Sequence, residues 1–205
     1  SITVSVSDGT NTTTQALTVN VTNINDVSPV ISSSATFSAA ENQTSVGTVS
    51  ASDAEGDTLT YSLSGTDASS FSINSSSGVI TFNSAPDYET KTSYSVTVSV
   101  TDGSNTATQA VTVNISNVND NNPVITSSAT FSAAENQTAV GTVTATDADG
   151  DTLTYSLTGT DASSLSINSS SGVITFNSAP DYETKTSYTV TVNINDGVFT
   201  GTQTL

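Results

Sequence analysis

Apolar residues recur at every second position in short runs along this chain. Ser95-Val96-Thr97-Val98-Ser99-Val100 puts three valines on one face of an extended segment and hydroxyls on the other. Ala110-Val111-Thr112-Val113-Asn114-Ile115 repeats the alternation. Period two is the geometry of a β-strand with one buried face. Further strands are expected near Phe37 and at residues 46–49, 59–63, 71–73 and 79–82, with the two long ones at 94–100 and 107–115. Glu55-Gly56-Asp57, Ser77-Gly78 and Asp102-Gly103 supply turn chemistry between them. No segment sustains a helical period, so the chain reads as all-β.

Self-similarity organises these strands. Residues 31–111 align with 125–205 at an offset of 94 without a gap, and 16 of the 81 positions differ, many by Ser/Thr exchange. Asp8 pairs with Asp102, Asp26 with Asp120 and Pro29 with Pro123 at the same offset. Residues 1–28 are therefore read as the last two strands and linker of a preceding repeat, 29–122 as a complete repeat, and 123–205 as a repeat truncated in its last strand. Seven short strands per repeat predict tandem Greek-key β-sandwiches of immunoglobulin-like type. The first segment would carry an apolar face of Val4, Val6, Leu17, Val19 and Val21 with no partner of its own; if ordered, it is expected to dock on another molecule.

Composition narrows the function. Ser and Thr number 37 and 39, yet with only four Pro and clear alternation the chain is not a disordered stalk. Its formal charge is -17, with Lys91 and Lys185 as the basic residues and no His, Cys, Met or Trp. Two lysines cannot make a surface for nucleic-acid phosphates. Without Cys or His there is no disulfide framework, thiolate nucleophile, Ser-His catalysis or zinc-thiolate site. No apolar run reaches the length of a bilayer span. Paired acids without an aromatic-lined cleft argue against a glycosidase, and no enzyme is expected. Tyr88 and Tyr182 are read as packing residues.

The carboxylates are clustered. Fifteen of the 19 fall in short motifs near the predicted repeat ends, leaving Asp57, Asp67, Asp151 and Asp161 outside them. The motifs are Glu41-Asn42, Asp53-Ala54-Glu55, Asp87-Tyr88-Glu89, Asp102 and Asn117-Val118-Asn119-Asp120-Asn121-Asn122-Pro123, returning as Glu135, Asp147-Ala148-Asp149, Asp181-Tyr182-Glu183 and Asp196. Gathered acids repel one another unless cations neutralise them. Hard oxygen donors without His or Cys select Ca²⁺ or Mg²⁺. The flexible, oxygen-rich shell of Ca²⁺ suits ligands drawn from several loops.

Glu, D-x-D, D-Y-E, the Asp closing the sixth strand and N-x-N-D-N-x-P, in that order, resemble the cadherin repeat. The near-identical, Ser/Thr-rich copies are most similar to the cadherin-like repeats of large bacterial calcium-dependent surface adhesins. That resemblance implies about three Ca²⁺ at the complete junction. Glu41, Asp87, Glu89, Asp120 and Asp149 would hold the inner pair, and Asn119, Asp147, Asp149 and Asp196 the outer ion, with carbonyls of Val118 and Asn121. About one Ca²⁺ is implied at the partial junction, from Asn25, Asp26, Asp53, Glu55 and Asp102. Three positions depart from the family pattern: Asn117 stands for Asp, Val27 for Asn, and Glu55 for Asp, whose longer reach is expected to loosen its site. The short loop after D-x-D leaves open whether Gly150 or Asp151 supplies a carbonyl. The implied function is a calcium-stiffened extender of an extracellular, cell-surface adhesin. Its partners would be neighbouring repeats of the same chain, with homophilic or polysaccharide contacts, and no nucleic acid or membrane. The alternatives are a direct carbohydrate- or self-recognising module, or a repeat segment appended to an extracellular enzyme.

Overall fold

The computed structural model describes residues 1–205. Strands dominate, and helix is confined to two 3-10 turns, Ala68–Ser70 and Ala162–Ser164. The chain divides into two compact units. One holds Ser1–Phe37, Ser45–Asn83 and Ser95–Thr112; the other holds Ser38–Thr44, Ser84–Tyr94 and Val113–Leu205.

The first unit opens with an antiparallel hairpin, Ile2–Ser7 against Thr12–Leu17, in which Ile2 faces Leu17 and Ser7 faces Thr12. Gly9, at φ 95°, makes the reversal that an L side chain resists. Every residue of the hairpin is exposed. Val19 and Val21 follow it outside any strand, 70% and 92% exposed. Beyond the hairpin the expected strands appear, with two of them split. Val30–Ile31 precedes Thr36–Ala40, and Ser45–Thr48 precedes Ala51–Ser52. The break is a backbone event: Ser32 and Ser33 both donate to the Ser50 carbonyl, and the pairing of Ser45–Thr48 shifts register between Ser45 and Gly47. Gly47 is needed there, because a Cβ would lie 2.7 Å from the Phe37 ring.

Ser45–Thr48, Val79–Phe82 and Phe71–Ile73 make one sheet, and Thr60–Ser64 pairs with Ser93–Thr101 in the other. The period-two positions bury as the alternation requires: Val96, Val98 and Val100 are at most 2% exposed, and Tyr61, Ile80 and Val111 join them in the core. Phe71 and Phe82 meet at 4.4 Å between ring centroids, a packing distance typical of aromatic pairs.

The second unit repeats these pairings 94 residues later. Val124–Ile125 pairs with Ala145–Thr146, Val173–Phe176 lies between Ala139–Thr142 and Leu165–Ile167, and Thr191–Asn195 lies between Thr154–Thr158 and Thr200–Thr204. Val143, Tyr155, Leu165, Ile174, Val190, Val192 and Ile194 form its core. One strand differs. Thr36–Ala40 lies beside Thr106–Ser116 at a sheet edge, whereas residues 130–134 form no strand. Thr106–Ser116 offers eleven residues for pairing and Thr200–Thr204 five. A cleft of about 260 Å³ lined by Phe131, Phe176, Tyr188 and Leu205 lies in that region.

Candidate metal centres

The acidic motifs converge through turns that the sequence builds locally. Asn42 adopts φ 62° immediately after Glu41, and Asn136 adopts φ 61° after Glu135. Asn tolerates this left-handed conformation better than most residues. The turn holds the Asn42 N–H on the Pro86 carbonyl. Glu41 is thereby 3% exposed, and its two oxygens accept the Tyr88 and Val118 N–H groups at 2.7 Å each. One carboxylate ties the D-Y-E segment to the linker.

The carboxylates of Glu41, Glu89, Asp120 and Asp149 then come within 4.8 Å of one another. Asp149 clasps the linker, with Oδ2 accepting from Asp120 N at 3.1 Å and Asn121 N at 2.9 Å. Asp120 is held by the Asn42 and Asn121 side-chain amides at 2.5 and 2.7 Å. Like charges in such a group oppose ionisation: Glu89 is pushed up, first by desolvation and then by Glu41 and Asp149.

Beside it, Asp147, Asp149 and Asp151 form a second group within the same 4.8 Å limit. Asn119, from the same segment as Asp120, places its Nδ2 3.5 Å from the Asp196 carbonyl. Asp196 is 8% exposed; burial pushes its pKa up, but the Val198 and Phe199 N–H groups and the Asn119 side chain together hold it below the usual value. Three oxygens here are buried without a hydrogen-bond partner: Asn119 Oδ1, Asp147 Oδ2 and Asp196 Oδ2. Buried oxygens are costly to leave unpartnered.

The first unit carries the matching arrangement. Asp53, Glu55 and Asp57 are within 4.8 Å of one another. Glu55 Oε2 accepts from Asp26 N and Val27 N at 3.0 Å each, so the longer side chain keeps the same linker clasp as Asp149. Asp53 Oδ2 and Asp57 Oδ2 are buried and unpartnered. Asp57 is pushed up by desolvation and by the charges of Asp53, Glu55 and Asp102, which face it. A third group, Glu135, Asp181 and Glu183, lies in the second unit.

The family profile described as Cadherin domain matches residues 35–116 and 128–205. The chain belongs to the cadherin family. Among relatives, the cadherin chain is 34% identical to Protocadherin Fat 4 of Mus musculus over 140 residues, 63% of this chain and 3% of that protein. It is 33% identical to Cadherin-23 of Homo sapiens over 153 residues, 71% of this chain and 5% of that protein. The chain thus spans a few per cent of the length of these relatives. Among solved structures, mouse Cadherin-23 EC22-24 superposes with TM-score 0.74 at 27% identity, covering 89% of this chain and 64% of that one. Protocadherin gammaB7 EC3-6, described as a cis-dimer, gives 0.78 at 26%, covering 95% and 55%. The tandem β-sandwich reading holds.

Within these cadherin domains, the structure brings together Glu41, Glu89, Asp120 and Asp149 at the inner end, and Asp147 and Asp149 at the outer end. Asp53 and Glu55 meet in the same way. Asp87 stands apart from the four-carboxylate group: both its oxygens accept from Thr90, at 3.1 and 2.9 Å, and these bonds lower its pKa. Asp26 is exposed and joins the clasp through its N–H. Val118 and Asn121 also engage through N–H groups, and Asn117 donates its amide to the Asp149 carbonyl at 2.8 Å. Tyr182, expected to pack, is 61% exposed. Asp57 and Asp151, set aside in the sequence, are full members of the acidic groups. Their spacing in Asp-Ala-Glu-Gly-Asp and Asp-Ala-Asp-Gly-Asp was the available signal: Gly56 and Gly150, at φ 82° and 81°, fold the chain so that the last acid returns to the first.

Proposed function

We propose that these cadherin repeats bind Ca²⁺ between successive sandwiches and thereby stiffen an extracellular extender segment of a cell-surface adhesion protein, with no enzymatic role. The observation carrying this reading is the set of buried, unpartnered oxygens on Asn119, Asp147 and Asp196, set among clustered carboxylates. A hard divalent cation satisfies such oxygens and offsets the repulsion between the carboxylates, which two lysines in the whole chain are too few to do.

In this reading the repeats are 29–122 and 123–205, preceded by the hairpin and linker of 1–28. Glu41, Asp87, Glu89, Asp120 and Asp149 hold an inner pair of ions; Asn119, Asp147, Asp149, Asp151 and Asp196 hold an outer one, with Val118 and Asn121 carbonyls contributing. Asn25, Asp26, Asp53, Glu55, Asp57 and Asp102 hold about one further ion. The bound ions supply charge neutralisation and fix the linker between the carboxylates that flank it. The relatives named above are animal cadherins, so the likeness to bacterial surface adhesins rests on composition: near-identical copies rich in Ser and Thr. An extracellular place agrees with cadherin relatives, and no helix is long and apolar enough to cross a membrane.

Small-angle scattering with Ca²⁺ and with chelator tests the stiffening, and calorimetric titration counts the ions. A longer, less variable particle with Ca²⁺, and about four ions bound, is the expected result. Identical scattering in both conditions, or no binding, overturns the proposal.

A further inference from the structure

The two outer sites share their plan, and among the positions where they differ, residue 105 against 199 bears on the oxygens of the linker Asn and the closing Asp that a cation would take. In both, the Asn side chain of the linker lies on a backbone carbonyl: Asn25 Nδ2 on Asp102 O at 3.3 Å, and Asn119 Nδ2 on Asp196 O at 3.5 Å. In both, the Asp closing the sixth strand spends Oδ1 on its own turn. Asp102 accepts from Ser104 N and Asn105 N at 2.7 and 2.6 Å, and Asp196 from Val198 N and Phe199 N at 2.7 Å each. The remaining oxygens differ in fate. At the first site the Asn105 amide nitrogen lies 2.9 Å from Asn25 Oδ1, 3.2 Å from Asp102 Oδ2 and 3.4 Å from the Val27 carbonyl. At the central site Phe199 occupies the matching position and has no donor to offer. Asn119 Oδ1 and Asp196 Oδ2 are there left buried and unpartnered, and Asp196 itself is only 8% exposed.

We propose that residues 105 and 199 set the cation affinity of the outer sites. The Asn105 amide is an internal occupant that a Ca²⁺ must displace from Asn25 and Asp102, whereas Phe199 leaves the central site with two oxygens that call for the ion. Resting on the Ca²⁺ reading above, this adds what distinguishes the two sites. An amide held by a carboxylate and a carbonyl competes for the same lone pairs as the cation, and a charge-assisted bond of this kind changes affinity by about tenfold. The Asn and closing-Asp oxygens are thus satisfied without metal at the first site and not at the central one, while Asp53 Oδ2 and Asp57 Oδ2 stay unpartnered at the first. Asn105 acts here as a positioning residue in the metal-free state.

The test uses the whole 205-residue chain, with Ca²⁺ calorimetry and thermal unfolding in chelator. Phe199→Asn installs the amide and is expected to weaken one central Ca²⁺ by about tenfold while raising the melting temperature in chelator. Asn105→Ala is expected to tighten the weak site by a similar factor and lower the melting temperature in chelator. Phe199→Ala removes the ring without adding a donor and keeps wild-type Ca²⁺ affinity, which separates lost packing from the added amide. Wild-type binding with unchanged affinities in both Phe199→Asn and Asn105→Ala overturns this assignment alone. Absence of Ca²⁺ binding in the wild-type protein overturns the Ca²⁺ reading instead, and the melting shifts in chelator then still report whether the amide satisfies those oxygens.

Discussion

The Glu41 carboxylate accepts the Val118 N–H at 2.7 Å across 77 residues of sequence. Its other oxygen accepts the Tyr88 N–H at the same distance, so the carboxylate is an anchor for the linker as well as a member of the acidic group. Both tasks require the same buried charge. The backbone donors supply part of its solvation, which lets a carboxylate sit 3% exposed among other acids.

Glu41→Ala should therefore destabilise the protein even in chelator, by about 2 kcal/mol, because two part-buried N–H groups lose their acceptor. Glu41→Gln keeps one oxygen acceptor and should cost about half as much. The matching Glu135→Ala should cost less than Glu41→Ala, since Glu135 accepts from an exposed Tyr182 N–H at 3.1 Å. Urea unfolding of the three variants checks the order. Equal losses at 41 and 135 would remove the anchoring role.

Glu89 predicts a pH effect with a definite sign. Its carboxyl is raised above the ordinary 4.5 by desolvation and by Glu41 and Asp149. The folded state thus binds its proton more tightly than the unfolded state, and stability falls as pH rises through the raised pKa. In chelator, Glu89→Gln should be more stable than wild type at neutral pH, with the difference shrinking as pH drops towards 4.5. With saturating Ca²⁺ the order should reverse, because the substitution removes a ligand. Melting curves at several pH values, with and without Ca²⁺, carry the test; a constant difference across pH would contradict it.

Two glycines in matched turns should behave very differently from two others. Gly78 and Gly172 have φ 68° and 69°, and a Cβ would sit 2.3 Å from the carbonyls of Val49 and Val143. Alanine at either position combines left-handed strain with a backbone clash and should cost about 3 kcal/mol. Gly56 and Gly150 have φ 82° and 81° but open space around them, so alanine there should cost about 1 kcal/mol. Thermal unfolding separates the pairs, and similar shifts for all four would show that conformation alone decides.

Lys185 offers a small and salt-sensitive contribution. Its ammonium meets Asp161 Oδ1 at 2.5 Å and lies 4.7 Å from the Tyr188 ring centroid, with the side chain 43% exposed. Exposure screens the pair, so Lys185→Met should lose no more than about 1 kcal/mol, less at high salt. Asp161, whose pKa the lysine lowers first and the Thr189 N–H second, should titrate higher in that variant. Carboxylate NMR titration reports this directly.

Period-two alternation made the strands legible: residues 94–100 and 107–115 became Ser93–Thr101 and Thr106–Ser116, because alternate burial on a sheet is written residue by residue. The offset of 94 carried that reading to the second domain, and the ordered acidic motifs marked the candidate metal centres. What local pattern does not encode is which side chains meet after the chain has turned back. Gly56 and Gly150 bring Asp57 and Asp151 into the acidic groups, while Thr90 takes both oxygens of Asp87. The split of the first two strands follows from the bonds of Ser32 and Ser33 to Ser50, which depend on a neighbouring strand. The exchange of Asn105 for Phe199 reads in the sequence as one more apolar residue at a hairpin tip. Its meaning lies 80 residues away, where the Asn105 amide reaches Asn25 Oδ1 and Phe199 leaves the equivalent oxygen of Asn119 unpartnered. Burial pattern is a property of neighbours along the chain; hydrogen-bond satisfaction is a property of neighbours in space.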